Sequence, residues 1–178
     1  LPRDHHPLDY EMLHQLGKAL DMKIGCSLVV GEWDRYNRLR GVPHVTYDEE
    51  NWDMASQIDP EYARQCLEIL EGSEYIDYTL HALIHGYYDK GKLVTEKQYY
   101  PFRYDPEQNC YTKEYARLSP EEFRQHIELF LQICADWGLK KPIRTFASPC
   151  GCMGTPESNR DYIRILKDYG IQFWHNGW

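Results

Sequence analysis

Apolar residues recur at spacings of three and four in four segments of the chain, and this period predicts four amphipathic α-helices. Three of these segments open with a capping residue, a proline and a glutamate. That order predicts a helix start, because it supplies an acceptor for a backbone N–H, a preset first turn and a favourable charge. The three starts are Asp59-Pro60-Glu61, Ser119-Pro120-Glu121 and Thr155-Pro156-Glu157. Ser119 with Glu122 also fits a capping box.

The remaining predicted helix comes first in the chain, from about Leu8 to Asp21. Its spacing places Met12, Leu16 and Leu20 on the side that we expect to be buried. Glycines just past the other three helices predict their C-terminal ends. These glycines are Gly72, Gly138 and Gly170.

A short segment rich in β-branched and aromatic residues follows each helix, which predicts a strand there. The segments are "KIGCSLVVG", "YIDYTLH", "PIRTFASP" and "IQFWHNG", and a further strand is expected around Leu1 to Arg3. Alternation of strands and helices predicts a parallel sheet covered by helices. No glycine-rich phosphate loop follows any of the segments, so a parallel (β/α) barrel is favoured over a nucleotide-binding Rossmann unit.

The chain has 178 residues, and we expect residues 1–178 to form a single (β/α) barrel domain. Four helices are fewer than those of a full barrel of about 250 residues, so we expect C-terminal units to be missing from this chain. Two connections are long, from Gly31 to about Ile58 and from Gly86 to about Leu118. Loops of this length without elements of their own are usually functional or disordered, and the aromatic residues of the second loop predict order.

Composition excludes some classes of partner. The net charge is −8, which argues against a nucleic acid held through phosphate contacts. No apolar run approaches the roughly 20 residues that span a bilayer.

The six cysteines are too sparse for a disulfide scaffold, and Cys26, Cys66 and Cys134 fall on apolar faces. The cysteines slightly favour a cytoplasmic location, while the start at Leu1 leaves a secreted or cell-envelope protein open. The oligomeric state is open as well.

Residues with metal-binding chemistry follow the predicted strands at their carboxyl ends, which meet at one face of a barrel. Four of the eight histidines gather there, with His6 as a fifth candidate. The segments that meet are "RDHHP", "GEWD", "HALIH", "SPCGC" and "HNGW". This face is therefore the expected site.

His81 and His85 are four residues apart at the end of a predicted strand. On a continuous strand they would lie roughly 13 Å apart, too far for one metal ion. On a helical turn their Cβ atoms approach to about 6 Å, so that both imidazoles can bind one ion. A metal site therefore requires the strand to end at His81 and a helical turn to begin there. Otherwise the two histidines are structural or solvated.

Asp4 stands beside His5 in "RDHHP". A carboxylate beside imidazole ligands suits a hydrolytic metal site, because the metal activates water and the acid takes its proton. The alternative for this segment is a polar turn that caps the first helix.

These motifs resemble those of the metal-dependent polysaccharide deacetylases, the NodB-homology carbohydrate esterases. "DHHP" is similar to the Asp-Asp-Gly-Pro that ends the family's first strand, and "HALIH" to its His-(Ser/Thr)-x-x-His, with Ala82 replacing Ser or Thr. "ASPCG" keeps Pro149 and Gly151 of the fourth-strand motif but has Ala147 where Arg is usual. "WHNGW" keeps a Trp of the fifth-strand region and lacks its Asp. The resemblance covers essentially the whole chain.

The resemblance implies a distorted seven-stranded (β/α) barrel that removes N- or O-acetyl groups from a carbohydrate. It implies one divalent metal ion, with zinc preferred and cobalt or nickel as alternatives. By position, Asp4 corresponds to the general base, and His5, His81 and His85 correspond to the metal ligands. A set of three histidines leaves one position on Zn²⁺ open for water. The substrate-binding positions that it implies are Pro149, Cys150, Gly151 and Trp178.

Three other functions stay open. A barrel that has lost motif residues could bind glycans without catalysis. Cys150 and Cys152 could act as a nucleophile with a nearby histidine or as metal thiolates. Glu32 and Asp34 could form a glycosidase pair if their carboxyl groups lie about 5–10 Å apart, although solvated loop residues or supporting groups are the simpler interpretation.

Overall fold

The computed structural model describes residues 6–42, 52–84, 86–89, 92–95, 103–105, 110–112, 118–148 and 159–175. For the four short segments between residues 86 and 112, only the backbone is described. These residues form an α/β fold in which helices pack on a parallel sheet. The predicted fold class is confirmed at this level.

Helices occupy the four predicted regions of the chain. They are α1 (Pro7–Leu20), α2 (Pro60–Gly72), α3 (Pro120–Asp136) and α4 (Arg160–Asp168). The predicted start of α4 at Thr155 lies outside the described residues. Gly138 and Gly170 follow α3 and α4 with φ angles of 73° and 82°, which glycine adopts without steric cost.

The capping residues of α2 and α3 act as their sequence predicts. The Asp59 carboxylate accepts hydrogen bonds from the backbone N–H groups of Glu61 and Tyr62. Ser119 and Glu122 exchange side-chain and backbone hydrogen bonds in a complete capping box. Both helices therefore begin at residues that satisfy their first N–H groups.

The structure describes eight strands. They are β1 (Ile24–Val29), β2 (Ile76–Ala82), β3 (Gly86–Asp89), β4 (Lys92–Thr95), β5 (Arg103–Asp105), β6 (Cys110–Thr112), β7 (Thr145–Ala147) and β8 (Phe173–His175). Strands β1, β2, β7 and β8 form a parallel sheet in that spatial order. Helices α2, α3 and α4 lie in the three connections between these strands. The strands of this sheet therefore have the same order in space as in the chain, with β3 to β6 inserted between β2 and β7.

The second long connection contains strands, whereas the sequence was expected to form a loop without elements. Strand β3 pairs antiparallel with β4, and β5 pairs antiparallel with β6. The segments "GYYD" and "KLVT" are rich in aromatic and β-branched residues and only two residues apart, which favours a hairpin. The order of these short segments, rather than the aromatic content of the whole connection, is the sequence signal for the hairpin.

One face of the parallel sheet carries the core. Leu28, Tyr78, Leu80 and Phe146 alternate onto this face and belong to one buried cluster with apolar residues of the helices. Phe123 of α3 packs edge-on against Phe146, with ring centroids 6.1 Å apart. The same ring stacks on Tyr162 of α4 at 4.0 Å. Helices α3 and α4 are thereby fixed to the same side of the sheet.

The other face is covered much less within the described residues. Gly25, Ser27, Asp77 and His175 are exposed there, and Phe173 is 63% exposed. The pairing of β1 with β2 and of β7 with β8 places these residues opposite the core side. The described sheet therefore has its helices on one side, an arrangement that differs from a doubly wound fold.

The expected buried side of α1 is wrong. Met12 and Leu16 are 70% and 50% exposed, and Leu20 is 56% exposed. The buried residues of α1 are Tyr10 and Gly17. Gly17 packs closely on Tyr75, because a Cβ atom at position 17 would lie 2.6 Å from the Tyr75 Cβ atom. This close approach, which only glycine permits, determines the orientation of the helix instead of the longer apolar stripe.

Cys26, Cys66 and Cys134 are free thiols, as expected for small packed side chains. Cys66 and Cys134 are buried, and Cys26 is half-buried. Burial raises the pKa of the Cys134 thiol to about 12 and also raises the pKa values of Cys26 and Cys66. These thiols are therefore unreactive near neutral pH. None of the helices in the described ranges is long and apolar enough to cross a membrane.

Candidate functional site

His81 occupies an irregular position at the carboxyl end of β2. Leu28 of β1 pairs with Leu80, but the next residue, Val29, pairs with Ala82. His81 is thus an extra residue in β2, and the strand forms a β-bulge there. Bulges often turn a side chain toward a site at the end of a sheet.

The residues after His81 form a bend where the metal hypothesis required a helical turn. Strand β2 continues to Ala82, and Leu83 lies in a bend rather than in the first turn of a helix. The bulge explains the difference, because it keeps Ala82 paired with β1 after the extra residue. His85 lies outside the described residues, so the His81–His85 distance stays a prediction.

Gly31 fixes this bend against the first strand. Its N–H donates to the Leu83 carbonyl at 2.6 Å. A Cβ atom at position 31 would overlap Ile84 Cγ2 and would lie 2.7 Å from the Leu83 oxygen. A glycine is therefore required here, and it determines how the chain leaves β2 toward position 85.

The imidazole of His81 is oriented by the neighbouring strand. Its Nδ1 atom lies 2.7 Å from the backbone carbonyl oxygen of Ala147. A carbonyl oxygen only accepts, so His81 Nδ1 carries the hydrogen, and in the neutral ring the lone pair is on Nε2. Metal-binding histidines characteristically donate their second ring nitrogen to a carbonyl or carboxylate in this way.

His81, Ala147 and His175 lie in one row across three neighbouring strands. Ala147 pairs with His175, and Leu80 pairs with Phe146 one position earlier. Two strand spacings separate the backbones of the two histidines by roughly 10 Å. His175 is exposed and lies at the same carboxyl edge of the sheet, as its place at the end of a predicted strand indicates.

Buried polar atoms without partners also occur near these strand ends. Ser148 follows β7 directly and is 3% exposed, and its Oγ atom has no hydrogen-bond partner in the part of the chain that the structure describes. The same holds for the indole nitrogens of Trp174 in β8 and Trp33 after β1. Buried polar groups are nearly always paired, so these atoms are expected to have partners other than the described residues. The sequence signal for Ser148 is the hydroxyl residue near the end of the predicted strand "PIRTFASP".

Asp34 has a structural role that excludes the glycosidase hypothesis for it. It is completely buried and accepts hydrogen bonds from the N–H groups of Arg38 and Leu39 at 2.7 and 2.8 Å. The indole N–H of Trp52 donates to it at 3.0 Å. Both carboxylate oxygens thus hold the first long loop together, and the expectation of a solvated Asp34 is wrong. Glu32 is half-buried.

This loop is attached to the end of α3. Arg38 forms a bidentate ion pair with Asp136, with Nη2 at 2.7 Å from Oδ1. Arg35 lies over the Trp137 ring at 4.4 Å, and the Trp137 indole donates to the Trp33 carbonyl. Residues 33–38 are therefore held in place beside the carboxyl end of β1.

His6 caps the first helix and is not a candidate ligand. Its Nδ1 atom accepts a hydrogen bond from the Leu8 N–H at 3.2 Å. The His6 N–H donates to the Asp9 carboxylate at 2.7 Å, which completes a capping box. The alternative interpretation of "RDHHP" as a capping turn is thus confirmed for His6.

Most of the predicted site residues lie outside the described residues. They are Asp4, His5, His85, Pro149, Cys150, Gly151, Cys152 and Trp178. Of the predicted metal ligands, the structure describes His81. Among the described residues, no group of three or more His, Cys, Asp or Glu side chains is arranged to hold a metal ion.

No protein-family model matches the chain, and no curated protein matches its sequence.

Proposed function

We propose that the chain is a metal-dependent hydrolase that removes N- or O-acetyl groups from a carbohydrate. The observation that carries this proposal is the His81 ring at the carboxyl edge of the sheet. Its Nδ1 atom lies 2.7 Å from the Ala147 carbonyl oxygen, the orientation in which a histidine typically binds a metal ion through Nε2. The type of reaction is inferred from the similarity of the surrounding motifs to those of the polysaccharide deacetylases.

We also propose that the parallel sheet is a section of a distorted seven-stranded (β/α) barrel. Its strands follow one another in chain order, and its described helices pack on one face. Successive right-handed crossovers between neighbouring strands produce this arrangement, as they do in barrels. The thinly covered face, with Gly25, Ser27 and Asp77, then corresponds to the barrel interior.

In this proposal, His5, His81 and His85 hold the ion, which is Zn²⁺ or alternatively Co²⁺ or Ni²⁺. When bound, the ion supplies a Lewis acid for the acetyl carbonyl. Asp4 takes the proton of the attacking water. Pro149, Cys150, Gly151 and Trp178 are the proposed contacts to the sugar.

Metal content tests the proposal directly. Plasma mass spectrometry of the repleted protein should find about one Zn, Co or Ni per chain. The double variant His81→Ala/His85→Ala should lose it. His14→Ala is the matched control, because His14 also hydrogen-bonds through Nδ1, at 2.8 Å from Ser73 Oγ, and lies at the opposite end of β2 from His81. Wild-type protein that holds no stoichiometric metal after repletion would exclude the mechanism.

A non-catalytic glycan-binding barrel is the second candidate. The observation that favours it is Ala147, because its methyl side chain cannot orient Asp4 as the family's Arg does. Calorimetric titration with acetylated oligosaccharides, before and after chelation, separates the two functions. Binding that persists without metal and without acetate release supports the second candidate.

A further inference from the structure

Three hydroxyl side chains form a row across the thinly covered face of the parallel sheet. Ser27 of β1 pairs with Thr79 of β2, and Thr79 pairs with Thr145 of β7. The next residue along each strand belongs to the buried core, so this hydroxyl row lies on the opposite face. A Cβ atom at Gly25 would lie 3.5 Å from Thr79 Oγ1, which agrees with a hydroxyl on that face.

The hydroxyl row lies one step from His81, toward the amino ends of the strands. Thr79 precedes His81 by two positions, and Thr145 precedes Ala147 by two positions. Residues two apart along a strand share a face and lie about 6.5 Å apart. The hydroxyl row is therefore the next layer of side chains beneath the proposed metal ligand.

This layer leaves space where the interior of a barrel is usually filled. In (β/α) barrels, bulky branched residues pack the inner layers. Here the layer carries one serine and two threonines, of which Ser27 is exposed and Thr145 is half-buried. Thr79, on the central strand between them, is 7% exposed. In the proposed barrel, the space beneath His81 is thus lined with hydroxyl groups.

The acyl group is the part of a substrate that fits this space. A glycan chain is too large for the interior of the barrel, so it stays at the carboxyl edge of the sheet. With its carbonyl beside His81, the acyl group then extends toward the hydroxyl row. A methyl group reaches only about 1.5 Å beyond its carbonyl carbon. A hydroxymethyl group spans most of the step, because its hydroxyl adds one bond and a hydrogen bond of about 2.8 Å.

We propose that the acyl group removed by this chain is a hydroxyacetyl group, and that Thr79 and Thr145 bind its hydroxyl. This inference rests on the hydrolase proposed above and narrows its substrate class. Hydroxyl groups both donate and accept, so each threonine can pair with the hydroxyl of the acyl group. In the reaction, water adds to the acyl carbon and the bond from that carbon to the sugar nitrogen or oxygen breaks. The sugar atom takes the proton, and glycolate is released.

Binding measurements test the hydroxyl row without the reaction. Hydroxyacetyl and propionyl groups have nearly the same size and differ by a hydroxyl in place of a methyl group. Calorimetric titration of the chelated protein should find about fivefold or tighter binding of an N-hydroxyacetyl oligosaccharide than of its N-propionyl analogue, the value of one hydrogen bond.

Isosteric variants assign that preference to the two threonines. Thr79→Val/Thr145→Val should abolish it, because valine keeps the shape and loses the hydroxyl. Thr145→Ser should retain the preference. Ser56→Ala, which removes an exposed hydroxyl of the first long connection, should retain it as well. If circular dichroism shows that the double variant is unfolded, Thr145→Val at its half-buried position repeats the comparison.

Acid release by the zinc-repleted protein separates this inference from the hydrolase itself. The ratio of kcat/KM for hydroxyacetyl over propionyl substrates should fall about fivefold or more in the double variant, with its metal content unchanged. Equal or weaker binding of the hydroxyacetyl sugar, or a preference that the double variant keeps, would overturn the inference. Acid release with bound metal would still support the hydrolase in that case. A binding preference that the double variant loses, without acid release from any substrate, would support the hydroxyl row and exclude the hydrolase.

Discussion

His81 and His6 use the same ring nitrogen in opposite ways. His81 Nδ1 donates to the Ala147 carbonyl, while His6 Nδ1 accepts from the Leu8 N–H. Nitrogen-15 NMR above the titration range of histidine should therefore find the Nδ1–H tautomer for His81 and the Nε2–H tautomer for His6. Added Zn²⁺ should shift the Nε2 resonance of His81 and leave that of His6 in place. The Nε2–H tautomer at His81 would contradict the proposed ligand geometry.

Glu61 and Arg64 form an ion pair that makes α2 sensitive to acid. Hydrogen bonds from Arg64 lower the pKa of the Glu61 carboxyl from its ordinary value of 4.5 to about 2. Because the folded pKa is below the unfolded value, the ionised carboxylate stabilises the native state above about pH 4.5. This contribution is lost as the pH falls toward 2.

An NMR titration of the Glu61 side chain measures this shift. In Arg64→Met, the midpoint should return toward 4.5, because the hydrogen bonds that favour the charged form are gone. The stability loss between pH 4.5 and 2 should become correspondingly shallower in the variant. An unchanged midpoint would mean that the pair does not persist in solution, as happens for many exposed ion pairs.

At the scale of elements, Gly31 links the end of β1 to the bend after β2. Gly31→Ala should destabilise the fold by about 1–3 kcal/mol, since the added methyl group overlaps the Leu83 carbonyl and Ile84. Urea denaturation measures the change, and the His81 ring resonances should move with it. Gly72→Ala is the control, because a Cβ atom there has no neighbour within 4 Å among the described residues. Equal stability of the two variants would mean that the bend relaxes freely.

Lys141 connects α2, β2 and the segment before β7. Its ammonium group donates to the carbonyl oxygens of Leu70, Ser73 and Ile76, the last at 2.9 Å. Burial lowers the pKa of Lys141, so these carbonyl groups compensate a partly desolvated charge. Lys141→Met should cost about 2–3 kcal/mol in the free energy of unfolding, because it leaves these carbonyls without their donor. Lys140→Met, next to it and exposed, should change stability by less than about 0.5 kcal/mol.

The sequence predicted those features of the elements that depend on neighbouring residues. The capping box at Ser119 and the aspartate cap at Asp59 are local signals, and both helices begin there. The exposed side of α1 could not be predicted, because Gly17 acts through Tyr75, nearly sixty residues away. Periodicity identifies an apolar stripe but does not reveal which neighbour covers it.

The candidate site could be predicted only in part, because some of its features also depend on contacts between residues that are distant in the sequence. The position of His81 at a strand end follows from the alternating pattern before it. The bulge does not, because it depends on the register between β1 and β2. The burial of Asp34 could not be predicted, because its three donors come from positions 38, 39 and 52, which only the fold brings together.

At the scale of the whole molecule, the parallel sheet has a centre and an edge. β2 is paired on both sides, by β1 and β7, whereas β8 is paired by β7 on one side in the described sheet. Hydrogen exchange followed by mass spectrometry should therefore find the slowest amides in β2 and much faster exchange in β8. Protection in β8 equal to that in β2 would show that a further strand covers its outer edge, as barrel closure requires.

The bulge at His81 also has a genetic consequence. Leu80 and Ala82 pair with consecutive residues of β1, so His81 between them has no partner in the ladder between β1 and β2. An in-frame loss of the single His81 codon would leave an uninterrupted strand in which Ala82 keeps its partner Val29 in β1. The proposed ligand can thus disappear by one small deletion while that pairing is kept, and active and inactive descendants of such a chain would differ in length by one residue.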